Sequence, residues 1–139
     1  MYPPELVAPM KSQLVNAGFQ DLTSPEQVDG ILSNEEGTTL LVVNSVCGCA
    51  AGSARPGVLS SLNTEIKPDR LATVFAGVDA DATSQARKYL LPYPPSSPSI
   101  GLFKNGKLVH FLERHHIEGR SAEMIAEHLK EAYKEFCKN

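Results

Sequence analysis

The chain has 139 residues, of which 42% are hydrophobic, with a net charge of −3 and three cysteines. That length predicts a single domain over residues 1–139 with an ordinary core, and it excludes any need for a disulfide scaffold. A mildly acidic balance with Lys and Arg spread along the chain argues against a nucleic-acid or anionic-membrane surface, and no apolar run is long enough to span a bilayer. "MYPPELVAPMK" has no basic region ahead of an apolar core, so no signal peptide is expected and the cytoplasm is the expected compartment. Thiols stay reduced there, and a close cysteine pair points to catalysis or metal binding rather than to structure.

In chain order, Leu6, Met10 and Leu14 recur at helical spacing, and Gly18 can end that helix. In "TSPEQVDGILSNEEG", Ser24 suits an N-cap, Pro25 the first helical position and Gln27 a capping box. Residues 39–46, "TLLVVNSV", read as a strand covered on both faces, as in the middle of a parallel sheet. "AAGSARPGVLSSLNTEI" predicts a helix that Pro56 should bend or interrupt. "LATVFAGVDA" is a second buried strand, and "DATSQARKYLL" a helix with Asp81 as cap. The prolines of "PYPPSSPS" make a loop, and "IGLFKNGKLVHFLE" is a hairpin turning at Asn105-Gly106. The last helix starts at Ser121 and carries Ile125, Leu129, Ala132 and Phe136 on one stripe. Strand, helix, strand implies a parallel pair, and the hairpin adds antiparallel strands. The expected fold is α/β: a mixed central sheet with helices on both faces and an additional helix at the N-terminus.

Cys47 and Cys49 follow the first buried strand and precede a helix. Sites in open α/β sheets gather at such strand ends, and a helix start favours an anion. A thiolate is the nucleophilic form of cysteine, and a helix N-terminus can lower a thiol pKa from about 8.5 to roughly 3.5–7.5. Cys47, nearest the strand end, is the expected nucleophile, and Cys49 the expected resolving thiol. Alternate Cα atoms of an extended chain lie roughly 6.6–7.2 Å apart. A disulfide wants about 4.4–6.8 Å, so a Cys47–Cys49 bridge needs a bend. Gly48 supplies it at low steric cost, and a strained bridge suits exchange better than cross-linking.

Other readings stand beside this one. Two thiolates at this spacing suit a soft metal such as Cu(I) or Zn. A tetrahedral site needs two more ligands, and Cys137, His110, His115, His116 and His128 are the candidates, though none forms a second ligand motif. The pair could also be buried as small apolar side chains. Asn44 or Ser45 could hydrogen-bond a thiolate or cap the next helix. Arg55 could face the site and favour an anion, or lie on a solvated helix face. Gly52 and Gly57 are expected to serve packing or bending, and Cys137 to be a frayed-end thiol.

"SSPSIGLFKNGKLV" resembles the thioredoxin-fold signature in which a cis-proline precedes a strand. The resemblance makes Pro98 that proline, facing the cysteines, with Ser97 beside it. "MYPPELVAPMKSQLVNAGF", "VVNSVCGCAAGSARPG" and "PPSSPSIGLFKNGKLVHFLERHHIEG" are similar to the bacilliredoxins, thioredoxin-like proteins with a CGC active site, over nearly the whole chain. That resemblance implies a thiol-disulfide oxidoreductase with no bound cofactor. Cys47 would attack mixed disulfides between client proteins and bacillithiol, a low-molecular-weight thiol acting as co-substrate. Cys49 or an external bacillithiol would then complete the exchange. Pro98, Ser97, Arg55 and Gly48 are the implied substrate-binding residues. Family members have also been viewed as disulfide isomerases or reductases. CGC replaces the CGPC of thioredoxin, Val46 stands where thioredoxins carry Trp, and Asn44 leaves the entering strand without a buried acid.

Overall fold

The computed structural model describes residues 2–138. Its five-stranded sheet is centred on β2 (Thr38–Asn44), whose seven residues are all buried. β3 (Arg70–Phe75) pairs parallel with one edge of β2, and β4 (Ser99–Lys104) pairs antiparallel with the other. β1 (Gln20–Asp21) and β5 (Lys107–Leu112) close the two sides, giving the order β1-β3-β2-β4-β5. Alternation along β2 builds two core layers. Leu40 and Val42 pack with Leu14 of α1 (Pro4–Val15), Val58 of α3 (Arg55–Ser61) and Ile125, Leu129 and Tyr133 of α6 (Ala122–Phe136). Leu41 and Val43 pack with Val28 and Leu32 of α2 (Pro25–Leu32) and Ala82 and Ala86 of α4 (Ala80–Lys88). Coverage on both faces is why the strand reads as an unbroken apolar run. The mixed sheet, the flanking helices and the N-terminal helix are those expected from the sequence.

Several local expectations hold. Ser24 accepts the N–H of Gln27, and Ser121 accepts that of Met124. Asn105 and Gly106 both have positive φ, 54° and 82°, as a two-residue hairpin turn of the primed type requires. Others are corrected. The Gln27 side chain closes back on the N–H of Thr23 at 2.7 Å rather than on Ser24. Asp79, not Asp81, occupies the N-cap of α4, and its carboxylate is drawn instead to Lys11 Nζ at 2.7 Å. β2 ends at Asn44, two residues short of expectation, because the chain turns away at Ser45 to present the cysteines. Phe136 packs on the core with Ile125, Leu129 and Ala132 as expected, and Tyr133 joins them fully buried, its hydroxyl 2.8 Å from Ser61 Oγ. β1 and the short α5 (Arg114–Ile117) had no periodic signal at their lengths. No helix among the described residues is long and apolar enough to cross a membrane.

Candidate active site

Cys47 lies three residues beyond the carboxyl end of β2, where a helical segment begins at Gly48 and runs to Ser61. Its carbonyl accepts the N–H groups of Ala50 (3.1 Å) and Ala51 (3.2 Å), so it occupies the cap position expected. The next turn, Ala50–Ala54, is π-helical, with the Arg55 N–H reaching back five residues to the Ala50 carbonyl. Pro56 explains this: it has no N–H to donate, and its ring crowds the carbonyl four residues earlier. A wider turn relieves the crowding without breaking the helix, so the expected interruption takes this milder form. Gly57 then lets α3 close onto α6, since a Cβ there would sit 2.7 Å from Ile125 Cβ and 3.0 Å from the Ala122 carbonyl. Gly52 has open space where a Cβ would go and serves no packing.

Gly48 is also corrected. It is helical, has no positive φ and faces open space, so nothing in the folded chain demands glycine there. The bend that brings the two cysteines together is the helical turn itself.

Ser45 contacts Cys47 directly. Its hydroxyl donates to Cys47 Sγ at 3.3 Å, and its oxygen lies 3.3 Å from the Cys47 N–H. Burial alone would raise the Cys47 pKa. The Ser45 hydroxyl, backbone hydrogen bonds from Ala50 and Cys49, and the Arg114 charge together outweigh it and hold the thiol below its ordinary range. Cys49 behaves oppositely: burial pushes it up, and the neighbouring Cys47 thiolate pushes it further. One sulfur is therefore the more readily ionised of the two and the other the less. All three cysteines are free.

Arg55 departs most from expectation. It is 1% exposed and lies beneath the site, on neither a solvated face nor a substrate-facing one. Its guanidinium donates to Asn44 Oδ1 (2.9 Å), the Ser45 carbonyl (2.8 Å) and Gln13 Oε1 (2.8 Å). Asn44 Oδ1 also accepts the Ser45 N–H at 2.9 Å. Where thioredoxins bury an acid near this position, the present chain buries a cation that fixes the Ser45 backbone. Burial lowers the pKa of Arg55, and the Cys47 thiolate acts to raise it, so the two charges sense each other.

A cleft of about 330 Å³ opens over Cys47, walled by Val46, Ser97, Arg87 and Arg114 among others. The Ser97–Pro98 bond is cis, as the resemblance implied; Pro98 is itself buried, and Ser97 presents the wall. Leu91–Pro92 is also cis, which no sequence signal indicated. Arg114 and Arg87 were missed because they come from separate elements and carry no distinguishing spacing. A larger cavity of about 560 Å³, bounded by Gly18, Lys67 and Arg70, lies at the opposite end of the sheet and contains none of the cysteines.

Cys137 is at that far end too. Its N–H bonds the Tyr133 carbonyl at 2.8 Å, and its half-buried thiol packs on the core beside Thr38, so it is not frayed. Thr38 and Asn44 are six strand residues apart, about 20 Å, which places Cys137 out of reach of Cys47. Among the described residues, the group of three donors close enough to share an ion is Glu113, His115 and His116. It includes neither cysteine, and His116 Nδ1 already accepts the Glu113 N–H at 3.0 Å. His110 and His128 pair with each other, Nε2 to Nε2 at 2.7 Å, on β5 and α6.

A family model described as disulphide isomerase matches residues 2–137. A bacilliredoxin of Cytophaga hutchinsonii is 63% identical over 135 residues, covering 97% of this chain and 99% of that protein. A second, from Halalkalibacterium halodurans, is 50% identical over 136 residues, covering 98% and 94%. Among solved structures, the thioredoxin of Malassezia sympodialis superposes with a TM-score of 0.60 at 15% identity, over 86% of this chain and 91% of that one. At that identity the likeness shows the fold alone, and the fold is thioredoxin-like.

Proposed function

The chain belongs to the bacilliredoxin family, and from that premise we propose that it removes bacillithiol from protein mixed disulfides by thiolate exchange at Cys47. The observation that carries the reading is the opposed tuning of two sulfurs in one helical turn, with the lowered one facing an open cleft.

In the first step the Cys47 thiolate attacks the bacillithiol sulfur of the mixed disulfide. One S–S bond forms as another breaks, and the client leaves as a thiolate that takes a proton from water. Cys47 now carries bacillithiol. Two completions balance. An external bacillithiol thiolate attacks the adduct, regenerating the Cys47 thiolate and releasing bacillithiol disulfide. Alternatively Cys49 loses its proton and attacks Cys47, leaving a Cys47–Cys49 disulfide and free bacillithiol. In the adduct Cys47 no longer carries the charge that raises Cys49 in the resting site, so both routes are open to the exchange. The Ser45 hydroxyl and backbone N–H groups stabilise the Cys47 thiolate both before attack and when it is the leaving group. Asn44 takes no proton, which suits a step that passes a small thiol without an internal base.

The same exchange step serves disulfide isomerisation, the activity in the family model's description. The cytoplasm supplies the reducing thiol pool that either activity requires. The test offers a bacillithiolated client to wild type, Cys47→Ala and Cys49→Ala and reads each product by intact mass. A bacillithiol adduct should form on Cys47 and persist in Cys49→Ala. Absence of transfer by wild type refutes the proposal, and transfer by Cys47→Ala reverses the roles.

A further inference from the structure

The cleft over Cys47 has a charge that the chain as a whole does not have. The protein is net −3, yet two arginines from different elements wall this cleft, and no Asp or Glu is among its lining residues. Arg114, the first residue of α5, is anchored: its Nε pairs with Glu118, and its Nη1 donates to the Ser97 carbonyl at 3.3 Å. Arg87, in the last turn of α4, is not. Among the described residues its guanidinium has no hydrogen-bond or ion-pair partner, and its Nε is buried without an acceptor. Exposed arginines solvate all their donors in water. A half-buried guanidinium with an orphaned N–H loses that solvation and gains nothing within the folded chain. A planar fork of donors is complementary to a carboxylate, which it can hold through two parallel hydrogen bonds. The cleft volume, about 330 Å³, is at the small-molecule end of ligand sites.

We propose that Arg87 and Arg114 form a carboxylate-binding subsite that orients a small thiol bearing a carboxylate while Cys47 carries it. This names a specificity determinant for the exchange proposed above and rests on that reading for the identity of the thiol. The two arginines differ in duty. Arg114 acts electrostatically on both sulfurs as well as on the ligand. Arg87, whose guanidinium has no partner among the described residues, has the duty of positioning the ligand. Binding here places the scissile S–S bond against Cys47, with Ser97 of the cis Ser97–Pro98 segment in the wall beside Arg114.

The experiment compares the rate of Cys47 with two small disulfides. 5,5′-Dithiobis(2-nitrobenzoate) carries a carboxylate on each half, and 2,2′-dithiodipyridine is neutral. The ratio of the two rates is read in wild type, Arg87→Gln and Arg87→Lys, so each variant supplies its own control for folding and thiolate content. The ratio should fall about fivefold in Arg87→Gln and recover in part in Arg87→Lys, as expected for one partly screened ion pair. It should also fall in wild type as salt rises. An unchanged ratio in Arg87→Gln overturns the subsite. A second arm uses one client carrying bacillithiol or uncharged 2-mercaptoethanol on the same cysteine. Selective loss for the bacillithiol form in Arg87→Gln supports the proposal, and equal loss for both, which would mean that Arg87 contacts the client, overturns it. Failure of wild type to accept bacillithiol while the probe ratio still responds to Arg87 removes the functional reading and leaves the carboxylate subsite standing.

Discussion

Replacing Ser45 by alanine tests the electrostatics of Cys47 most directly. The hydroxyl donates to Sγ at 3.3 Å from a residue that is 7% exposed, so no water takes its place readily. A hydrogen bond to a charged group contributes about 1.5 kcal/mol at the low end of its range, which suits this long bond to a partly exposed sulfur. That energy is roughly a tenfold change in the thiolate–thiol equilibrium. Two consequences oppose each other. Well below the thiol pKa, the variant holds about one tenth of the wild-type thiolate. Each thiolate is more basic, however, and nucleophilicity towards disulfides rises with basicity by a factor of about 3 for such a change. Ser45→Ala should therefore react about threefold to fourfold more slowly than wild type in acid and about threefold faster above pH 10, with crossing profiles. The assay is the pH–rate profile of 2,2′-dithiodipyridine, a neutral probe, with urea melts to show that the fold persists. Parallel profiles, slower at every pH, would mean that Ser45 only positions the sulfur, and the electrostatic reasoning would be wrong.

Limited iodoacetamide labelling at pH 7 should modify Cys47 ahead of Cys49 and Cys137, both held up by burial; peptide mapping that finds most label on either of those contradicts the assignment. Gly57→Ala should destabilise the protein by about 1–3 kcal/mol through overpacking against Ile125. Its urea midpoint should fall at unchanged slope, and an unaltered midpoint would show that α3 and α6 separate freely. His110 and His128 are both held below the ordinary histidine range, first by burial; His116 opposes charge on both, His110 and Arg120 add to this at His128, and Glu135 acts the other way on His110. The unfolded chain thus binds protons more readily than the folded one. The associated stability is complete above about pH 6.5, the unfolded value, and is lost as pH falls through the lowered folded values. Melting temperatures from pH 7.5 to 5.5 should drop more steeply in wild type than in His128→Gln, and equal slopes refute the pair's contribution.

The parts of the fold visible in the sequence are those fixed by local chemistry. The unbroken apolar run of β2, the Asn105-Gly106 turn and the Ser24 and Ser121 caps each follow from a few neighbouring residues. Cys47 was legible for the same reason, since strand end and helix start adjoin in the chain. Arg55 was not. Its three acceptors come from Gln13, Asn44 and Ser45, and only folding brings α1 beneath the turn that follows β2. Arg87 was hidden likewise, because an orphaned donor has no signature until its surroundings exist. The reason for Gly48 was misread: the spacing argument assumed an extended segment, whereas a helical turn already shortens the distance between the cysteines.

The buried Arg55 also gives the N-terminal helix a task. Gln13 holds one edge of the guanidinium, and the Met10 carbonyl receives Asn44 Nδ2 at 3.3 Å, so two bonds run from α1 to the residues that seat the sulfur. Detaching that helix would uncover a cation and loosen the serine above it in a single event. Reactivity at Cys47 and the docking of α1 are thus one property observed from two ends, and a lesion on the outer rim of the molecule can silence chemistry that it never touches.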